Sequence, residues 1–332
     1  MAHTLSFLAF TLFSILFASS PPAIAEPAQY SVQSYGAKPD GTTDSTKAFL
    51  SAWDQVCGST APASLYVPSG KFSLGKATFQ GPCKNSAIVV TIDGTLVAPS
   101  DYSSIGDENN WIIFKDVDGV TVSGGILDGQ ALACGLAKPP ARVAPKACQN
   151  VIVQNVKVSA ASNSPNTDGI HVESSTGVTI LNSKIGTGDD CVSVGPGTAN
   201  LWVENVACGP GHGIRIKTWA RPSNGFARNI LFQHAVMINA KNPIVIDQNY
   251  CPDDKNCPNQ ESGVKISDVT YQDIHGSSAT EVGVKLDCST KYPCTGIELE
   301  DVKLTYNNQP AEASCINAAG TVSGFVQPSS CL

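Results

Sequence analysis

The chain has 332 residues with 28 acidic against 21 basic side chains, a formal net charge of −7. That balance speaks against binding polyanions over the whole surface, so no nucleic-acid partner is expected. Its twelve cysteines, an even number, favour disulfides, and no interval has the paired C-x₂-C spacing of a zinc site, so neither a metal nor a cofactor is expected.

The first 25 residues contain no Asp, Glu, Lys or Arg, carry an apolar run from Leu5 to Phe17, and end in the small-x-small pattern Ala23, Ile24, Ala25. The run is too short to span a bilayer and predicts a secretory signal peptide cut before Glu26. Residues 26–332 are then expected to form one soluble, extracellular, monomeric domain with no membrane partner. The 307 residues that remain exceed the usual size of a single core, a limit that a solenoid escapes because its core grows in one dimension. Turn residues between Gly36 and Gly41 precede a helical pattern from about residue 45 to 56, with Ala48, Phe49, Ala52, Trp53 and Val56 on one side. An amphipathic helix there suits a cap over the open end of a solenoid.

From Gly119 onward a short pattern recurs: a turn-former, then apolar residues alternating with polar ones. It starts at Gly119, Asn150, Gly177, Asn200, Asn229, Gly263 and Gly296, with spacings of 31, 27, 23, 29, 34 and 33 residues. No single repeat buries its own apolar side, whereas stacked repeats build one continuous core. The stretch from Ala131 to Cys148 breaks the pattern and reads either as a loop on the binding face or as the scar of missing sequence.

Asp168, Asp190 and His212 are 22 residues apart, and each precedes a small residue and an apolar–polar–apolar run. On stacked parallel strands ~4.8 Å apart, these residues and the adjacent Asp189 form one column. Neighbouring carboxylates repel one another, which predicts a raised pKa for at least one of them. Strict alternation turns Asp168 and Asp190 toward the core, so a bend at the following small residue is required. Inverting glycoside hydrolysis uses such a pair, one as acid and one activating water across ~6.5–9.5 Å. The same aspartates also suit turns in which they cap backbone amides. His212, between Gly211 and Gly213, suits tuning of the acid or holding a hydroxyl. Arg215 and Lys217 point outward from Ile214 and Ile216 and suit a sugar carboxylate. Between Cys208 and Arg228 there are four cations and no carboxylate, which predicts a specific anionic ligand. Close spacing suggests the local disulfides Cys191–Cys208, Cys251–Cys257, Cys288–Cys294 and Cys315–Cys331.

The segments 166–168, 188–190, 211–213 and 215–217 resemble, in order, the four signature motifs of polygalacturonases, glycoside hydrolases of the pectin-degrading β-helix superfamily, and the flanking text resembles the plant branch. The resemblance implies an all-β, single-stranded, right-handed parallel β-helix with an N-terminal capping helix. It also implies inverting, metal-free hydrolysis of the α-1,4-galacturonan of pectin, in the cell wall. In that scheme Asp189 is the general acid, Asp168 and Asp190 position and activate water, His212 assists, Arg215 and Lys217 bind a substrate carboxylate, and Tyr250 is a further sugar contact. One departure stands out: the family places another coil between the histidine and arginine–lysine motifs, which are fused here, and the stretch before Cys148 also reads one coil short. The fusion predicts weakened or absent hydrolysis. Two other readings are a non-catalytic pectin-binding wall protein and a pectate or pectin lyase in which Arg215 or Lys217 abstracts a proton.

Overall fold

The computed structural model describes residues 27–100, 110–130, 143–251, 257 and 260–332. The expected signal peptide and residues 131–142 of the irregular stretch lie outside these. Residues Val143–Lys146, read from sequence as lacking strand pattern, instead form a strand that pairs with Ile112–Lys115 and meets Ile170–Val172. The neighbours on either side impose the extended conformation that the Val-Ala-Pro-Lys text does not announce.

Among the described residues the strands stack as the coils of a parallel β-helix. Every strand pairing is parallel except the short contact of Lys303–Tyr306 with Gln309–Pro310. The coils advance in register, and the face that carries the acid column runs through Ala77–Gln80, Ile112–Lys115, Val143–Lys146, Ile170–Val172, Asp190–Val194, Gly211–Trp219 and the end of Gly225–Tyr250. Beneath it, Ile112, Val143, Ile170, Val192, Ile214, Ile244 and Val284 follow one another as ladder partners and are all buried. Each such aliphatic side chain contributes ~1.5–3 kcal/mol on burial.

The corners explain the recurring turn-formers. Gly119, Asn150, Gly177, Asn200, Asn229, Asp268 and Gly296 succeed one another at one corner, all at φ between 51° and 67°. This left-handed conformation is tolerated by glycine and by Asn or Asp, and penalised in other residues. The start expected at Gly263 is therefore displaced. Its coil turns at Asp268, φ 56°, five residues later, because an aspartate fills the left-handed position as well as a glycine does. Side-chain amides add a ladder along the bend: Asn229 donates to the carbonyl oxygen of Asn200 at 2.6 Å, and Asn150 donates to Asp118 at 2.9 Å.

The helix occupies Thr46–Gly58, close to its expected span, and buries Ala48, Phe49, Ala52, Trp53 and Val56. Trp53 packs edge-on against Phe79 and Phe114, and Phe49 against Phe72, so the helix closes the N-terminal end of the core. Its first turn is capped by Asp44, whose carboxylate accepts the Thr46 amide at 2.9 Å, rather than by Ser45. All four expected disulfides are present, and Cys57–Cys83 additionally ties the end of the helix to the coils. Cys148 is a buried free thiol, and Cys134 lies outside the described residues.

Replacing Asn229 by alanine is expected to lower stability by ~1–2 kcal/mol, the cost of a left-handed Cβ. Replacement by glycine should cost less. Urea unfolding midpoints of the two variants check this.

Candidate active site

Residues 168, 190 and 212 reach the outer side of their face because strand alternation fails immediately after each of them. Gly169 and Ile170, Cys191 and Val192, and Gly213 and Ile214 are consecutively buried. Two inward positions in a row turn the preceding side chain away from the interior, the bend that the sequence pattern required. Glycine is needed at two of these steps: a Cβ at 169 would lie 2.2 Å from the Ile185 side chain, and one at 213 would lie 2.0 Å from the Pro243 carbonyl. At the middle step Cys191 turns inward and bonds Cys208 across the core.

The column assembles as its spacing predicted. Asp190 and His212 are ladder partners, and Gly169 donates its amide to the Asp190 carbonyl at 2.8 Å. The Nδ1 of His212 lies 2.9 Å from Asp189 and 3.3 Å from Asp190. Asp189 also accepts the backbone amide of Asp190 at 2.9 Å, which orients its carboxylate toward the histidine. Thr167 holds the Asp168 loop to the next coil by accepting the Gly188 amide at 3.2 Å.

Arg215 and Lys217 lie on the same strand as His212, Gly211–Trp219, and both turn onto the acids. Lys217 Nζ donates to Asp190 at 2.7 Å and to Asp168 at 3.3 Å, and Arg215 Nε is 3.3 Å from Asp190. Asp190, fully buried, therefore faces three cationic groups. Burial alone would raise its pKa, but Lys217, then Arg215, then the His212 hydrogen bond outweigh it and hold the carboxyl below the ordinary range. The expected carboxylate repulsion does not govern Asp190, because Lys217, Arg215 and His212, all on the fused strand, dominate its surroundings. Burial opposes charge on Lys217 too, yet Asp190 and Asp168 raise its pKa above the usual lysine value. His212 is pushed up to about 9 by its hydrogen bond to Asp189 and then that to Asp190, against burial, so it is an imidazolium at neutral pH.

Asp189, Asp190 and His212 place one donor atom each within 4.8 Å of one another. They fit a metal poorly, since His212 holds its proton and Asp190 is already surrounded by protein cations.

Tyr250 joins the site as a wall. It is the ladder partner of Trp219, meets its ring edge-on at 5.8 Å, and lies under Lys217 Nζ at 5.2 Å from the ring centre. Sequence reasoning passed over two further groups. Ser193, fully buried, donates its hydroxyl to Asp168, and His171 Nδ1 lies 2.7 Å from the Ser193 oxygen. With its one proton directed at Asp168, Ser193 accepts from His171, which assigns the proton to Nδ1. His171, Ser193 and Arg215 are successive ladder partners on the outward side, so the same 22-residue step that revealed the acids also marks this chain.

A parallel β-helix with paired acids, a histidine and cations stacked on one face is an arrangement suited to hydrolysing glycosides of acidic sugars. The comparisons agree: the sequence profile of Glycosyl hydrolases family 28 matches residues 57–134, 136–214 and 213–331, and the chain belongs to that family. A polygalacturonase of Prunus persica is 54% identical, with all of both chains aligned, and one of Gossypium hirsutum is 34% identical over 90% of this chain and 89% of its own. The crystal structure of an endo-xylogalacturonan hydrolase from Aspergillus tubingensis superposes with a TM-score of 0.60 at 20% identity, covering 90% of this chain and all of the other, and shows the shared fold. The Prunus persica alignment runs to 395 positions against 332 residues here, so 63 of its positions have no counterpart in this chain. The breaks between the profile blocks fall at 134–136 and 213–214, the two places where the sequence reads a coil short.

Two outcomes are expected. Lys217→Met should destabilise the fold by ~3–5 kcal/mol by removing the nearest partner of a buried charge. Adding Asp190→Asn should recover part of that loss, as read by denaturant unfolding. His212 should titrate near 9, against 6.5 when unperturbed. Because the folded value is the higher one, its contribution to stability is fully present below about 6.5 and lost as pH rises through about 9. NMR titration of the ring checks the first point. A flatter alkaline stability profile in His212→Gln checks the second.

Proposed function

We propose that the protein is a secreted cell-wall hydrolase of the galacturonan backbone of pectin, a polygalacturonase in activity, whose turnover is impaired by the fusion of two site coils. The observation that carries the reading is the single column of Asp168, Asp190 and His212 with Asp189 beside it and cations on the same face. The likeness to the Prunus persica and Gossypium hirsutum polygalacturonases supports the substrate class.

In this reading Asp189, the more exposed of the two adjacent aspartates, protonates the glycosidic oxygen, and His212 at 2.9 Å assists by orienting its carboxyl group. Asp168 and Asp190 hold the attacking water, which enters from the opposite side of the sugar and inverts the anomeric centre. Ser193 and His171 position Asp168. Arg215, Lys217 and Tyr250 receive the carboxylate and ring of the sugar.

The fused strand weakens this scheme. A family-like coil between His212 and Arg215 would move the basic pair about one strand spacing, ~4.8 Å, away from the acids. Here both cations neutralise Asp190 instead, which makes it a poor base and leaves the sugar carboxylate without its partner. Displacement of ~1 Å can cost ~10²-fold in rate. The same ion pairs favour a second reading, a galacturonan-binding wall protein without turnover.

With polygalacturonic acid the chain should release few or no reducing ends, and insertion of a family-like coil between Gly213 and Ile214 should restore release. Wild-type-like turnover of the unmodified chain would overturn the impairment. Retained anomeric configuration by NMR in the restored protein would overturn inversion. A restored protein that releases nothing, alongside galacturonan binding unchanged by Asp189→Asn, would favour the binding protein. Unsaturated uronides in the ultraviolet would point to a lyase. Secretion is checked by amino-terminal sequencing of the exported product, which should begin at Glu26.

A further inference from the structure

Beyond the acid column, the acid-free segment between Cys208 and Arg228 continues onto the neighbouring shoulder of the helix as a row of cations lying on aromatic rings. Arg221 lies over the exposed Trp219, 5.6 Å from its centre, and Trp219 in turn meets Tyr250 and so Lys217. The Arg221 carbonyl accepts the Gly263 amide at 3.3 Å, which carries the surface across to the next coil, two residues before Lys265. Lys265 is the ladder partner of Phe226, whose ring lies 4.8 Å from the Arg228 guanidinium. On its other side Lys265 faces Tyr292, which Lys291 also approaches, at 5.8 and 5.6 Å.

Three observations separate this shoulder from an ordinary solvated face. Arg221, Arg228, Lys265 and Lys291 form no ion pair among the described residues, although carboxylates outnumber cations in the chain as a whole. Phe226 and Trp219 expose 38% and 42% of their surface, and each lies beside one of these cations. On the upstream coil the ladder neighbours of Phe226 and Arg228 are the small residues Gly197 and Ala199. The nearest carboxylate along the strand, Asp268, is at the corner bend and accepts the Ser267 hydroxyl at 2.9 Å.

We propose that this shoulder is a second binding surface for an acidic polysaccharide, distinct from the acid column and reached from it through Trp219 and Tyr250. Its occupant is a polymeric galacturonan, an inference that rests on the functional reading above. Sugar rings stack their apolar faces on exposed aromatic rings, and their carboxylates meet the flanking cations. A chain engaged on the shoulder stays bound while its other segments sample the acid column, so the surface contributes affinity through effective concentration. It discriminates by length, since a short oligomer occupies one area and a polymer both.

The test measures binding of polygalacturonate and of trigalacturonate to the full chain, to Arg228→Ser/Lys265→Ser, and to Lys303→Ser as a control that removes an exposed cation elsewhere. All four residues of the shoulder row are exposed or near the surface, and circular dichroism confirms that the variants fold. Expected is a loss of about tenfold in polymer affinity in the double variant, with trigalacturonate binding unchanged, the control unaffected and the polymer's salt dependence reduced. An unchanged polymer affinity in the double variant, or an equal loss in the control, overturns the second surface and leaves the hydrolase reading intact. Release of reducing ends by the coil-insertion protein judges that reading separately. Failure of the parent chain to bind polygalacturonate at all overturns the second surface whatever that assay gives.

Discussion

The register between coils is the constraint on which the molecule depends. Each coil repeats the hydrogen-bond ladder of the one before, so any residue is placed by its position within the coil and by the number of coils beneath it. The aliphatic column from Ile112 to Val284 and the charged column above it share one set of ladder pairs. A change of one residue in a coil would turn the aliphatic column outward, whereas removal of a whole coil leaves every inward residue inward. The fold can thus absorb a coil-length loss, while the distances between charged side chains on the outer face change with it.

The charge arrangement at the site follows from that asymmetry. Ile214 and Ile216 pair with Val192 and Val194 on one side and with Ile244 and Ile246 on the other, so the core beneath the fused strand is continuous. Above it, Arg215 and Lys217 meet Asp190 and Asp168 on the two preceding coils. Three carboxylates face three cations, an arrangement formally neutral and favourable for stability, since a buried charge without a partner costs several kcal/mol. The same contacts engage Arg215 and Lys217 with Asp190, so both cations point at protein carboxylates.

The corners and the ends carry the remaining demands. Left-handed Asn, Asp and Gly positions let the chain turn between faces without losing its ladder. At the N-terminal end the helix covers the core with Phe49 and Trp53. At the last coils Ile316, Val322 and Phe325 remain substantially exposed, and Cys315–Cys331 fastens the closing segment. Among the described residues, five disulfides close short loops within or between adjacent coils, which supplements a core that is one-dimensional and therefore only locally cooperative.

Much of this was written in the sequence because a solenoid converts spacing into position. The 22-residue interval placed Asp168, Asp190 and His212 together, the short cysteine intervals named four disulfides, and the apolar spacing named the helix and its buried side. The bend after each acid was also legible, as a requirement, from the clash between alternation and a surface role. Other features had no one-dimensional signature. The turn at Asp268 in place of Gly263, and the strand at Val143–Lys146, were set by neighbouring coils rather than by local text. The sequence showed that two motifs were fused, but the direction of Asp190's pKa shift depended on which charges lay within about 3 Å of it, and only the packed coils decided that. Ser193 and His171 carry no motif, and they acquire meaning only because consecutive coils set a hydroxyl between an imidazole and a carboxylate. Periodicity determined which residues share a face; the distances between their charged ends, and hence their chemistry, belonged to the tertiary structure.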